Sequence, residues 1–293
     1  MNDGSDAECH IKGNFRIRGI RSTNPVAVGD FVEIQTLADG TNWIKEIEER
    51  RNYIIRKSTN LSKESHILAA NIDQVALIVT INHPVTSTTF IDRFLATCEA
   101  FRVRAYLIFN KTDLLTEEEK TQLAELRALY ESLDYPTLAI SAKDPSTFSV
   151  QLSTMLSNKT TLLSGNSGVG KSTLLNALFN KELTRTGKIS DAHGTGMHTT
   201  TFSEMYFLPE GGAVIDTPGI KGFGTIDFEK EEVGHYFREI FRVGRDCRFG
   251  NCTHTNEPGC AVQEAVIKGL VAISRYESYL SILNDSTEGK YRG

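Results

Sequence analysis

Gly165-Asn166-Ser167-Gly168-Val169-Gly170-Lys171-Ser172 is the stretch that decides the fold of this chain. It satisfies G-x-x-x-x-G-K-[ST], and its flanks suit it. Thr160-Thr-Leu-Leu-Ser164 reads as a short buried strand, and Lys171-Ser-Thr-Leu-Leu-Asn-Ala-Leu-Phe179 reads as a helix. Glycines let the backbone curl until its N–H groups and the helix N-terminus face a phosphate chain. Lys171 would reach the β- and γ-phosphates, Ser172 would ligate Mg²⁺, and Thr173 continues the loop into the helix. A chance glycine turn would explain the loop alone, but not strand, loop and helix with Lys-Ser at the junction.

Upstream, Asn110-Lys111-Thr112-Asp113 follows the strand-like run Arg104-Ala-Tyr-Leu-Ile-Phe109. A carboxylate at Asp113 can accept from N1–H and the exocyclic amine of guanine. Adenine has no such donor pair, and discrimination of roughly 10⁴ is within reach of this design. Asn110 would brace neighbouring loops, and the Lys111 stem would lie along the base. Ser141-Ala142-Lys143, after Pro136-Thr-Leu-Ala-Ile140, would offer a backbone N–H to the guanine carbonyl. Each motif alone is an ordinary polar turn; together with the phosphate loop they predict a guanine nucleotide site.

Downstream, Asp216-Thr217-Pro218-Gly219 ends another strand-like segment. Asp216 would hold the Mg²⁺ shell and the Gly219 N–H would sense the γ-phosphate. Between it and the phosphate loop, Gly194-Thr-Gly-Met-His198-Thr199-Thr200-Thr201 is rich in glycine and hydroxyls, as expected of a segment ordered by Mg²⁺ and γ-phosphate. Thr200 is the predicted metal-contacting threonine, with Thr199 beside it. The base motifs thus precede the phosphate loop, an inversion of the usual GTPase order. Convergence of strand ends, not chain order, builds such a site. One consequence of the inversion is mechanical: the chain beyond residue 219 is attached to the γ-phosphate sensor, here through 221–241.

Past that connector lies Cys247-x₄-Cys252-x-His254-x₅-Cys260. Three thiols and one imidazole make a closed tetrahedral shell, the pattern of one structural Zn²⁺. A disulfide or unpaired buried thiols are the alternatives, but the two other cysteines, Cys9 and Cys98, lie in unrelated segments. Segments 261–270 and 272–283 carry apolar residues at helical spacing. From Asn284 the chain turns polar, and a frayed end is expected.

The chain has 293 residues, is 40% hydrophobic and has a net charge of −5, which excludes a globally basic nucleic-acid binder. No apolar run is long enough to span a membrane, and the polar N-terminus is unlike a signal peptide. Short β-type runs at 14–20, 30–36 and 42–48 predict a small antiparallel, OB-like barrel. Lys12, Arg16, Arg18 and Arg21, then Arg50, Arg51, Arg56 and Lys57, form two basic groups. They fit phosphate contact, and equally a solvated strand face. Residues 61–70 read as a linker, Val75-Ala-Leu-Ile-Val-Thr-Ile81 as a buried strand and 88–101 as the first helix of the α/β domain.

Taken together, the chain closely resembles the circularly permuted, ribosome-small-subunit-dependent GTPases of bacteria, the RsgA (YjeQ/YloQ) family. The resemblance rests on Asn24-Pro-Val-Ala-Val-Gly-Asp30, Ala69-Ala-Asn-Ile-Asp-Gln-Val75, Asn110-Lys-Thr-Asp113, the phosphate loop, His198-Thr-Thr-Thr201, Asp216-Thr-Pro-Gly219 and 247–262. It implies an α/β fold in three parts: an OB-fold RNA-binding domain at 1–63, a circularly permuted P-loop GTPase domain at 64–225 and a helical zinc-binding domain at 226–293. It further implies hydrolysis of GTP to GDP and phosphate, stimulated by the small (30S) ribosomal subunit during late maturation, by a cytoplasmic monomer that contacts rRNA but neither DNA nor membrane. The family has an extra strand ahead of the segment that here begins Glu8-Cys9-His10, so the barrel is expected to lack its first strand. It also has arginines where this chain has Gly194-Thr195-Gly196-Met197, so no arginine role carries over.

Lys171, Mg²⁺ and the loop N–H groups would supply charge stabilisation. Ile220 stands where many GTPases have a water-orienting glutamine, so the isolated chain should hydrolyse GTP slowly, with His198 or a group donated by the ribosome completing the site. An ATP-using P-loop kinase or ATPase is disfavoured by Asp113, and a scaffold with merely structural nucleotide by Lys171, Ser172 and Asp216. The nearest rival is a GTP-regulated RNA-binding factor acting on translation or another RNA particle.

Overall fold

In a computed structural model of the chain, residues 6–11, 25–57, 65–179, 203–217 and 228–288 are described. Near the N-terminus, β1 (Cys9–Ile11), β2 (Val32–Thr36) and β3 (Asn42–Ile47) form a three-stranded sheet in the order β1-β3-β2. The β2–β3 pair is antiparallel, as expected, but β1 runs parallel to β3. The predicted strand at 14–20 lies outside the described residues. β4 (Tyr53–Lys57) and β5 (Ser65–Ala70) then pair antiparallel. Most of the segment expected to be a linker is therefore a strand. Its end is apolar enough to explain this: Ala69, Ala70 and the facing Ile54 are fully buried.

The main sheet has six strands in the order β10-β11-β9-β6-β7-β8. β6 (Gln74–Val79), α1 (Thr88–Ala100), β7 (Arg104–Phe109), α2 (Glu117–Ser132), β8 (Thr137–Ala139), α3 (Ser149–Leu156), β9 (Thr160–Gly165) and α4 (Lys171–Phe179) alternate along the chain. β10 (Glu204–Phe207) and β11 (Ala213–Asp216) come next, and only the β10–β11 pair is antiparallel. All six residues of β6 are buried, as a parallel strand covered on both faces requires. Its two-residue period splits them: Val75, Leu77 and Val79 face the core with Phe94, Leu95 and Tyr130, while Ala76 and Ile78 face Leu152, Leu163 and Leu174. Each fully buried aliphatic side chain contributes about 1.5–3 kcal/mol by removal from water.

Two sequence segments that carried the family resemblance turn out to be one seam. Ala70 N–H donates to Val28 C=O at 2.9 Å, and Asn71 Nδ2 donates to Gly29 C=O at 3.0 Å. Gly29 has φ +93°, and a Cβ there would lie 2.1 Å from the Ala70 carbonyl oxygen, so only glycine lets the two chains meet. The seam also corrects one expectation. Arg50 is not offered to phosphate: its guanidinium is buried against Asp30, Nε at 2.6 Å from Oδ1 and Nη2 at 2.6 Å from Oδ2, and it also donates to Pro25 C=O. Arg51 remains largely exposed, with Asp73 at 3.2 Å.

At the C-terminus, α5 (Arg238–Gly244), α6 (Ala261–Ile267) and α7 (Ile273–Glu288) surround a core of Phe228, Val233, Phe237, Ile240, Val262 and Tyr279, into which Ala96 of α1 also projects. Contrary to the expected fraying from Asn284, α7 stays helical to Glu288. Asp285 is tied to Arg93 of α1 at 2.5 Å, which gives the polar end a reason to remain folded. Among the described residues, no helix is long and apolar enough to cross a membrane.

Candidate functional site: a nucleotide cavity and a cysteine–histidine cluster

The carboxyl ends of β6, β7, β8, β9 and β11 converge on one side of the sheet, where ligands of open α/β folds bind. There they enclose a cavity of about 680 Å³. Asn110, Lys111, Asp113, Ser141, Ala142 and Lys143 line one end; Gly165, Asn166, Ser167, Gly168, Gly170, Lys171, Ser172, Thr173 and Asp216 line the rest. Permutation of the chain leaves this convergence untouched. Of the residues expected to bind nucleotide, Val169 faces inward and is fully buried. Its part is structural: its carbonyl accepts from Asn110 Nδ2 at 2.8 Å. Thr199, Thr200, His198, Pro218, Gly219 and Ile220 lie outside the described residues.

Asn110 is the staple of the cavity. Its side chain donates to the phosphate loop at Val169 and accepts from Ala142 N–H at 2.9 Å, joining three loops through one buried amide. Gly170 (φ +94°) must be glycine, because a Cβ there would lie 2.3 Å from Asn110 Nδ2. Lys111 takes a left-handed backbone (φ +66°) and sends Nζ across the loops to Gly168 C=O at 2.6 Å and to His83 C=O. Ser141 Oγ donates to Asp113 Oδ1 at 2.7 Å. That bond orients the carboxylate and leaves Oδ2 to accept from a ligand.

At the phosphate end the loop leads into α4, whose first-turn N–H groups carry partial positive charge. Lys171 Nζ is ion-paired with Asp216 Oδ1. A cation and a carboxylate, with Ser172 lining the same cavity, match what a polyphosphate and a hard divalent cation need. Asp216 is held in place by its neighbour, since Thr217 Oγ1 donates to Leu163 C=O at 3.2 Å.

Sequence reasoning missed several supporting residues. Thr147 Oγ1 accepts from Ser141 N–H at 3.1 Å and donates to Asp144 C=O at 2.7 Å, shaping the loop that presents Ser141 and Ala142. Leu114 lines the cavity beside Asp113. His83 and Pro84, after β6, reach the phosphate loop and Lys111. Their position at the carboxyl end of a parallel strand was the available signal; nothing in their residue types marks them.

Cys247, Cys252, His254 and Cys260 come together, with all four ligand atoms within 4.8 Å of one another. Cys247 Sγ lies 3.5 Å from His254 Nδ1 and 4.0 Å from Cys260 Sγ, and Cys260 Sγ lies 3.6 Å from His254 Nδ1. Ligands about 2.3 Å from a central ion stand roughly 3.8 Å apart at the corners of a tetrahedron, so the donor set and its spacing fit a metal of that geometry. Burial pushes the Cys252 thiol up to about 12 and the Cys260 thiol upward, and lowers His254. A metal that takes the thiolates would displace protons the fold otherwise retains. Glu257 organises the turn: it accepts from Thr253 N–H at 2.7 Å, Thr253 Oγ1 at 2.6 Å, Thr255 N–H at 2.9 Å and Asn256 N–H at 3.1 Å. Burial opposes its ionisation, but these bonds hold its carboxyl down at about 2. Tyr276 and Tyr279 of α7 donate to the His254 and Thr253 carbonyls at 2.5 and 2.7 Å.

Comparison with known proteins extends this geometry. A family model described as RsgA GTPase matches residues 47–226. The small ribosomal subunit biogenesis GTPase RsgA of Phocaeicola vulgatus is 60% identical over 290 residues, covering 99% of this chain and 93% of that protein. RsgA 2 of Bacteroides thetaiotaomicron is 59% identical over the same shares. Among solved structures, YjeQ from Thermotoga maritima aligns with a TM-score of 0.74 at 34% identity, covering 95% of this chain and 89% of that one. YloQ, a circularly permuted GTPase, aligns with a TM-score of 0.70 at 30% identity, covering 97% and 88%.

Proposed function

This chain belongs to the RsgA GTPase family, and from that premise we propose that it binds the small ribosomal subunit and hydrolyses GTP to GDP and phosphate, stimulated by that particle, during late subunit maturation. The observation that carries the proposal is the cavity in which Asp113, braced by Ser141, faces one end and the Lys171–Asp216 pair the other. A guanine base and a polyphosphate are the ligand whose two ends these groups complement.

Each role rests on the chemistry of its side chain. Asn110, Lys111, Asp113 and the Ser141–Lys143 loop hold the base; Gly165 to Thr173 and Gly219 cradle phosphate. Ser172, Thr200 and Asp216 would hold Mg²⁺, which when bound would offset the charge that develops on the phosphate oxygens. Lys171 stabilises the transferring phosphoryl group. His198, or a group from the ribosome, completes water positioning. Zn²⁺ at Cys247, Cys252, His254 and Cys260 is structural, because four protein ligands leave no open position.

We propose a division into three parts: an OB-fold RNA-binding part at 1–63, the GTPase part at 64–225 and the zinc-binding part at 226–293. Arg51, Arg56 and Lys57, with Lys12, Arg16, Arg18 and Arg21, are the basic residues left to meet rRNA. The protein acts in the cytoplasm as a monomer, with no DNA or membrane partner.

The test is GTP turnover by the purified chain alone, with small subunits, with large subunits and with free RNA. Stimulation confined to small subunits supports the proposal. Stimulation by free RNA or another particle favours the rival, a GTP-regulated factor acting on translation or a different RNA assembly.

A further inference from the structure

We infer that Arg275, a residue of the zinc-bearing helical part, is a positioning residue for the nucleotide site: through Asp92 it sets α1 and the loop before it, and thereby the rate at which GDP leaves. The inference rests on reading the cavity as a guanine nucleotide site.

Arg275 on α7 is 1% exposed, the Asp92 side chain on α1 is fully buried and that of Glu239 on α5 is 7% exposed. Arg275 Nε and Nη2 donate to the two oxygens of Glu239 at 2.6 and 3.1 Å, and Nη1 donates to Asp92 Oδ1 at 2.7 Å. Tyr130 of α2 donates to the same Asp92 oxygen at 2.9 Å. Packed apolar side chains would hold such an interface at least as firmly, so buried ions are not explained by stability. What the planar, forked guanidinium adds is orientation. It fixes the angle at which α5 and α7 meet α1. Arg238–Glu99 and Arg93–Asp285 also join the parts, but nearer the surface.

From Asp92 to the cavity there is little slack. Ser87 caps α1 by accepting from Phe90 N–H at 3.2 Å. The loop before it is closed on the end of β6: Thr86 N–H donates to Thr80 C=O at 3.0 Å, Thr80 N–H to Thr86 Oγ1 at 3.1 Å and Thr80 Oγ1 to Pro84 C=O at 2.5 Å. Its tip is hydrogen-bonded to the nucleotide site at one point and stands close to the phosphate loop at another. The His83 carbonyl accepts from Lys111 Nζ, and Pro84 Cδ lies 3.5 Å from where a Gly168 Cβ would be. A shift of α1 moves a braced loop, and the loop carries one of the two carbonyls that position Lys111. This route reaches the cavity through α1 and the loop before it, although Glu239 of the triad lies in the 221–241 connector. A partner docking on the zinc-bearing part could therefore act on the base end of the cavity as well as on the γ-phosphate end. By whatever factor a docked partner changes equilibrium nucleotide affinity, nucleotide would change partner affinity.

The test is release of a fluorescent GDP analogue from the full chain, followed by stopped flow, with metal content measured on each variant. Removing single charges from the triad would strand its partners, so the main variant removes all three at once: Asp92→Asn, Glu239→Gln, Arg275→Met. Its expected release is about tenfold faster with metal retained. Arg275→Lys keeps the charge but loses the fork, and is the second variant, with a smaller acceleration. Pro84→Ala, alone and combined with Arg275→Lys, tests the route; the combined effect should be less than the product of the two. Release within about twofold of the parent in either triad variant that retains its metal overturns the inference. Strictly multiplicative effects overturn the loop route. Failure of the parent to bind GDP at all would instead refute the nucleotide reading itself.

Discussion

The nucleotide cavity and the cysteine–histidine cluster were equally visible as motifs, yet they are built in opposite ways. The cavity gathers residues between 110 and 216 from the ends of several parallel strands, and Asn110 joins three of its loops. The cluster takes its four ligands from fourteen consecutive residues, with Glu257 tying the turn between them. Each is therefore vulnerable in a different place. A dispersed site depends on the sheet and on the few polar side chains that bridge its loops. A contiguous site that takes a metal depends on its ligands and on that metal, since the binding energy of a metal that assembles its own site is folding energy.

The largest effect should separate recognition from architecture. Asp113→Asn is expected to lower preference for GTP by roughly 10⁴ and shift it toward xanthosine triphosphate, read by competitive nucleotide binding, while the melting temperature barely moves. An unchanged preference would mean that the base lies elsewhere in the cavity. Next, Cys260→Ser should lower metal affinity by more than about a hundredfold, measured by competition with a chromogenic chelator. It should also loosen α5–α7 while the sheet remains folded, seen as amide-exchange protection lost only beyond 228. Loss of protection across the sheet as well would break the contrast between a local and a dispersed site.

A smaller effect is expected from Asn110→Ala. It leaves the Val169 carbonyl and the Ala142 N–H without their partner, each such buried group costing about 1–3 kcal/mol. Nucleotide affinity should fall by about tenfold or more, with metal content unchanged. Glu257→Ala should be the mildest, weakening metal binding by about tenfold through the freed turn. If Glu257→Ala proved more damaging than Cys260→Ser, the turn rather than the ion would be the organising element.

Much of the nucleotide site was legible because its motifs act through local backbone. Glycines at 165, 168 and 170 and a lysine at 171 have the same meaning wherever the strand and helix meet. The bracing partners were not legible. Thr147, His83 and Pro84 have no distinctive chemistry, and they matter only because the sheet brings them to the same edge. Arg50 shows the converse error. Counted as a charge, it belonged with a phosphate-binding group; in three dimensions it is buried on Asp30. The segment at 61–70 was misread for a related reason, since a short strand is recognisable chiefly by the partner that completes its hydrogen bonds.

Residue order alone was enough to read the phosphate loop, the N-K-x-D motif, the permuted order of the parts, the Cys/His donor set and the helices beyond it. These arise from residue types at short spacings, where covalent connection already imposes the geometry. How the parts are joined became visible in three dimensions: Gly29 against Ala70, Asn110 across three loops, and Arg275 between Asp92 and Glu239. Those contacts link residues up to 183 positions apart. They exist because folding removes apolar surface from water and leaves a few polar groups buried together, each of which must then find its partner.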